Sequence, residues 1–198
     1  VSREPMPDAF GGQSGWAPQP PRSIVPTPAA TREDLRGRRV IVGLPGFGWR
    51  GDLRADEKVV QGSRTYVPVI PEHEWYKAEA EQIEVFAPLV PVDRVWVEVL
   101  ASLDQPLPDV VSRLVSLDAP PRREAVPIAD GIRVTGRRVV QVVDGVERRD
   151  LRAVTEMYAS ADGDVCLRVA TELEWYRWGW SGQSPRTLEI STNLLWLE

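Results

Sequence analysis

Glu72-His73-Glu74-Trp75-Tyr76-Lys77 (EHEWYK) returns in this chain as Glu172-Leu173-Glu174-Trp175-Tyr176-Arg177 (ELEWYR). Three further blocks recur around it. Residues 37–42 (GRRVIV) are echoed by 136–141 (GRRVVQ), Asp52-Leu53-Arg54-Ala55 by Asp150-Leu151-Arg152-Ala153, and Val95-Trp96-Val97-Glu98 by Leu195-Trp196-Leu197-Glu198. The blocks keep the same order, and the offset between them drifts only from 99 through 98 to 100 residues. Matched tryptophans in ordered blocks are the mark of an internal duplication. One small β-rich module is therefore written twice, at about residues 36–100 and 133–198.

Each copy helps to interpret the other. Residues 38–42 and 137–143 are β-branched runs and predict a first strand. Asp144-Gly145 follows the second run as a tight-turn signal, where the first copy has a longer Gly-rich loop, residues 43–51 (GLPGFGWRG). Residues 53–60 and 151–158 predict a second strand, and 65–70 and 165–170 a third. The EHEWYK and ELEWYR blocks alternate in a way that suits a strand, but a short helix over 72–84 and 172–181 accounts for more. Thr171 with Glu174 three residues on forms a capping box, Pro71 suits a helix start, and acidic residues fill the first turn. A proline- or serine-led turn and a last strand bearing Trp96 or Trp196 complete the module.

This order predicts a mainly β (α+β) fold: two copies of a small barrel, each with one short helix, joined by a helix-containing linker. It resembles tandem SH3-like small barrels of the Tudor or KOW type, in which a short helical turn precedes the closing strand, much as VPVDRVWVE (90–98) would. The resemblance is to a fold pattern over each module, and it implies an interaction or nucleic-acid accessory role. The organisation expected is a disordered leader at 1–32, a first module at 33–100, a linker at 101–130 and a second module at 131–198. The leader is rich in Pro, Gly, Ser and Gln and too poor in apolar residues to offset ordering entropy. Within the linker, residues 108–117 (PDVVSRLVSL) place Val110, Val111, Leu114 and Leu117 on one helical face. A 60-residue module buries little core alone, so the copies are expected to pack on each other about a pseudo-twofold axis.

Composition narrows the chemistry. The 198 residues carry a net charge of −5, so the chain has no global attraction for nucleic acid or an anionic membrane. No stretch approaches the roughly 18 apolar residues of a membrane span. Residues 1–16 have no apolar core of a secretory signal, and the single cysteine permits no intrachain disulfide. A cytoplasmic protein is the expectation. With one Cys and one His, a Cys/His zinc site is excluded. His73 lies between two glutamates, but adjacent side chains diverge, and the second copy has leucine there. Cys166 reads as a buried thiol. The glycines of GLPGFGWRG lack the Lys-Ser/Thr of a phosphate-binding loop. Glu72, Glu74, Glu172 and Glu174 read as helix-start acids rather than a hydrolytic pair. No cofactor, metal or catalytic residue is assigned.

Two surfaces remain. Tryptophans shared by the copies (Trp75, Trp96, Trp175, Trp196) are assigned to the core. Trp49, Trp178 and Trp180 are not shared, and with Phe47 they occupy Gly-rich segments that no core requires. Phe47, Trp49, Trp178 and Trp180 are therefore the candidate surface for a protein or peptide partner, with packing between the modules as the alternative use. Arg133, Arg137, Arg138, Arg148, Arg149 and Arg152 lie across one hairpin and could form a basic face, the first five as contacts to nucleic-acid phosphates, although Asp144, Glu147 and Asp150 interleave with them and favour cross-strand pairing. The leading expectation is a non-catalytic interaction protein. The alternatives are a nucleic-acid accessory protein and an enzyme with a carboxylate site between the modules.

Overall fold

The structure is a computed structural model that describes residues 19–102 and 119–198. The helix expected over 108–117 lies outside the described residues. Elsewhere the duplication holds element for element. The first copy runs β1 (Ile24–Pro28), β2 (Arg39–Leu44), β3 (Gly48–Ala55), β4 (Val59–Gln61), β5 (Arg64–Pro71), α1 (Glu72–Glu81), β6 (Leu89–Pro91), a 3-10 turn (Val92–Arg94) and β7 (Val95–Leu100). The second runs β8 (Val126–Pro127), β9 (Arg138–Val143), β10 (Val146–Ala153), β11 (Tyr158–Ala159), β12 (Val165–Thr171), α2 (Glu172–Ser181), β13 (Leu188–Ser191), a 3-10 turn (Thr192–Leu194) and β14 (Leu195–Leu197). Each copy forms one antiparallel sheet that curls into a half-barrel, and the helix sits between its third long strand and the next.

Period-two alternation explains the cores. Val40 and Val42, Leu53 and Ala55, Val67 and Val69, Val95 and Val97 all point inward from the first sheet. Val139, Leu151 and Ala153, Leu167 and Val169, Leu195 and Leu197 do so from the second. Each such side chain contributes about 1.5–3 kcal/mol when fully buried. Both helices are present. Thr171 Oγ1 accepts from the Glu174 backbone N–H at 3.3 Å, as the capping box requires. Helix α1 starts behind Pro71 without a side-chain cap and ends at Glu81, three residues short of the expected 84, with Gln82 in the left-handed region as its C-cap.

Three boundaries need correction. The leader does not extend to residue 32, because Ile24–Pro28 pairs with β7 from Ile24↔Leu100 to Pro28↔Trp96. β1 lies on the sheet edge, where prolines are tolerated. Its counterpart β8 pairs with β14, and Leu35 and Val134 are wholly buried in the two cores. The repeat therefore begins some ten residues earlier than the matching blocks suggested. The loop at 43–51 is mostly a hairpin, with Gly43↔Trp49 and Leu44↔Gly48 in register. The strands expected over 53–60 and 151–158 are each broken in two, leaving β4 and β11 as short strands beside β5 and β12.

Of the four recurring tryptophans assigned to the core only Trp196 is buried; Trp75, Trp96 and Trp175 are half-buried on its flanks. Trp75 and Trp175 hold the helices to the sheets. A Cβ on Gly37 would meet Trp75 Cζ2 at 3.4 Å, and a Cβ on Gly136 would meet Trp175 Cζ2 at the same distance. Both glycines also have positive φ (73° and 80°), which a side chain would strain. The GRR and EWY blocks thus recur together because they touch.

Candidate functional site

The helices meet across the pseudo-twofold axis. Tyr76 and Tyr176 stack with ring centroids 5.3 Å apart and planes inclined by 23°. Each hydroxyl donates to a buried glutamate of the other copy: Tyr76 to Glu172 Oε2 at 2.8 Å, and Tyr176 to Glu72 Oε2 at 3.0 Å. The contact is self-complementary in the manner of a two-fold dimer interface.

Four arginines enclose the glutamates. Arg39 and Arg54 reach Glu72 Oε1 through their Nε atoms at 3.2 and 3.0 Å, and Arg138 and Arg152 reach Glu72 Oε2 through Nη2 at 3.1 and 3.2 Å. Glu172 Oε2 takes Arg39 and, at 3.2 Å, Arg54. Its Oε1 lies 3.6 Å from Arg138 Nε and 3.8 Å from Arg152 Nε, ion-paired but beyond hydrogen-bond reach. Arg54 and Arg152 also stand over the faces of Tyr76 and Tyr176. Burial alone would push the Glu72 carboxyl up, but Arg138, Arg54, Arg39 and the Tyr176 hydroxyl more than reverse this and hold it at about 2. The two phenols are raised, first by burial and then by the facing carboxylate. A carboxylate held this acidic is a poor general base or acid near neutral pH. The cluster at the module interface is a lock between the copies.

The arginines assigned to a nucleic-acid face fall largely into such pairs. Arg138 is buried in the cluster just described. Arg149 pairs with Glu147 and Glu198, and Arg148 with Asp150 at 3.0 Å. Arg133 and Arg137 are exposed. Sequence reasoning missed Arg39, Arg54, Arg152, Tyr76 and Tyr176 as a unit. The signal was available: a charged or phenolic residue that recurs in both copies serves something both copies do, just as a recurring tryptophan does.

The aromatic candidates separate. Phe47 stands 88% exposed in the turn between β2 and β3. Trp49 is not displayed on a loop. It lies on β3 with its Cζ3 2.8 Å from where a Cβ on Gly43 would be, and it meets Trp96 edge-on at 5.0 Å. The ring covers the bare backbone of the cross-strand glycine. Trp178 and Trp180 are in the last turns of α2, not in a loop. They line a groove of about 450 Å3 with Trp175, Tyr176 and, from α1, His73 and Lys77. Trp178 meets Trp175 edge-on at 5.7 Å and is still 38% exposed. His73 points to solvent, 3.6 Å from Glu74, while Glu72 points inward. Cys166 is buried and free. Among the described residues no cluster of His, Cys, Asp or Glu is arranged to hold a metal ion, and no helix is long and apolar enough to cross a membrane.

No protein-family model, curated protein or solved structure matches this chain.

Proposed function

We propose that the protein is a non-catalytic interaction module that binds an apolar segment of a protein or peptide partner in the groove between α1 and α2. The observation that carries this reading is the partly exposed tryptophan wall on one helix only. Trp178 and Trp180 stand where α1 has Ala78 and Ala80, so neither the shared fold nor the helix–helix contact requires them. Aromatic side chains that a fold does not need, set around a cavity of drug-sized volume, are typical of binding hot spots. His73, Glu74 and Lys77 give the opposite wall a polar rim. We read each module as an SH3-like barrel, on the 3-10 turn that precedes each closing strand, and small barrels of that kind commonly serve as interaction modules.

The test is affinity capture from native lysate, with and without nuclease, using the wild type and a folded Trp178→Ala/Trp180→Ala variant as bait. A nuclease-resistant partner that the variant loses supports the reading. A partner held equally by both baits places binding elsewhere and defeats it. Recovery that disappears with nuclease would favour a nucleic-acid role, for which Arg133 and Arg137 are the exposed arginines left.

A further inference from the structure

Residues that the two copies do not share converge on one groove. Trp178 and Trp180 on α2 and His73 on α1 line it together with Trp175, Glu74 and Lys77. The duplication gives each of these a counterpart: Ala78, Ala80 and Leu173 for the first three, Trp75, Glu174 and Arg177 for the rest. One side of the helix pair therefore has two tryptophans and an imidazole where the other has two alanines and a leucine. A difference confined to one of two equivalent places is not required by the fold that both copies share.

The charges differ at the same place. On α2, Arg177 Nη1 pairs with Glu174 Oε1 at 3.3 Å, one turn back along the helix. On α1 the same positions hold Lys77 and Glu74, but there Glu74 Oε1 lies 3.6 Å from His73 Nε2 instead. Among the described residues, Lys77 has no carboxylate within ion-pairing distance. It is half-buried beside the tryptophans with its charge unmatched.

We propose that the groove takes a segment of a partner protein in which a bulky apolar side chain stands beside an Asp or Glu. The apolar side chain lies against Trp175, Trp178 and Trp180, and the carboxylate meets the Lys77 ammonium. This rests on the groove being the partner surface, and it adds the partner's charge to that reading. Tryptophan faces supply large apolar contact area, and an ammonium is a compact donor that meets a carboxylate from several directions. The chain carries a net charge of −5, so an acidic partner gains no long-range attraction. The lysine instead fixes the register of the segment and discriminates against basic competitors, which is the usual work of a charge at an interface rim. A nucleic-acid strand fits less well, because one lysine with Glu74 a turn away is not a basic track for successive phosphates.

The test uses the full chain and fluorescein-labelled peptides of equal length, followed by fluorescence anisotropy. Three peptides carry a central Leu-Phe pair flanked on both sides by Glu, Gln or Lys, and a fourth keeps the Glu flanks around Ser-Ser. The expected order of affinity is Glu, then Gln, then Lys, with the Ser-Ser peptide unbound and the spread narrowing in high salt. Lys77→Gln should weaken the Glu-flanked peptide about three- to fivefold and leave the Gln-flanked one unchanged. Lys77→Glu should reverse the order, and Glu74→Gln should keep the order while tightening the Glu-flanked peptide. Thermal melts of the three variants verify that they fold. Equal binding of the three Leu-Phe peptides, all lost in Trp178→Ala/Trp180→Ala, would keep the groove as the partner surface and overturn the charge preference. A preference that survives Lys77→Glu, or an oligothymidine held more tightly than the Glu-flanked peptide, would overturn it too. Binding unchanged in the tryptophan variant would place the peptides elsewhere and sink both readings. No binding by any peptide would overturn the inference, and lysate capture would then decide the groove on its own.

Discussion

Glu72→Gln is the most informative single change, because it removes one charge from the lock and almost no volume. The side chain is fully buried and lies within 3.0–3.2 Å of Arg39 Nε, Arg54 Nε, Arg138 Nη2 and Arg152 Nη2. At an effective dielectric of about 20, one such contact amounts to roughly 4 kcal/mol of gross attraction, most of it offset by the desolvation of the ions. Two routes give the net effect. Removing one partner of a buried ion pair typically costs about 3–5 kcal/mol. The fall of the Glu72 carboxyl from 4.5 to about 2 corresponds to about 3 kcal/mol, at roughly 1.4 kcal/mol per pKa unit. Both estimates are a large share of the 5–15 kcal/mol that holds a typical domain together. The assay is urea unfolding followed by tryptophan fluorescence from pH 7 to pH 2. A depressed folded-state pKa contributes stability that is fully present above 4.5 and lost as pH falls toward 2. The wild type should therefore exceed Glu72→Gln by about 3 kcal/mol at pH 7, and the gap should close across that acid window. A gap under about 1 kcal/mol at neutral pH, or one that does not change with pH, refutes the lock as the source of stability.

Further expectations follow from the same geometry. Because Glu72 is held by arginines of the other copy, urea should unfold both copies in a single transition, and two separated transitions would show that the lock does not couple them. Tyr76 and Tyr176 have raised pKa values, so their contribution is present below pH 10 and lost as pH rises beyond it; Tyr76→Phe/Tyr176→Phe should flatten the alkaline limb of a stability profile and cost about 1.5–3 kcal/mol per hydroxyl at neutral pH. Gly37→Ala and Gly136→Ala should each cost about 1–2 kcal/mol, since a left-handed residue gains a Cβ against a tryptophan, and a clear inequality between them would undo the equivalence of the copies. Gly43→Ala should cost about 1–3 kcal/mol by displacing the Trp49 ring, whereas Phe47→Ser should leave the melting temperature within error.

The duplicated β architecture and the two helices were written in the sequence. Each rests on local or periodic information: alternation within a strand, a capping residue three positions from its partner, a block that repeats. The stretch at Ile24–Pro28 was misread because its prolines resemble a linker, and only a place on the sheet edge, opposite β7, makes them a strand. Trp49 looked like a loop aromatic until Gly43 came opposite it in the hairpin.

The lock shows the same division. Sequence supplied Arg39 and Arg138, Arg54 and Arg152, Glu72 and Glu172 as recurring residues, but nothing local says that Arg138 answers Glu72 rather than Glu147. That choice depends on how two curled sheets turn their faces to one another across an axis, and it joins residues far apart in the chain. The bulges in the two long hairpins are more remote still: Asp52 accepts from Arg138 and Arg152 inside the lock, whereas Asp150 pairs outward with Arg148. Local sequence thus determined which elements form, because strands, caps and turns answer to near neighbours. Tertiary structure alone decided which charges meet, because burial and pairing depend on the whole arrangement in space.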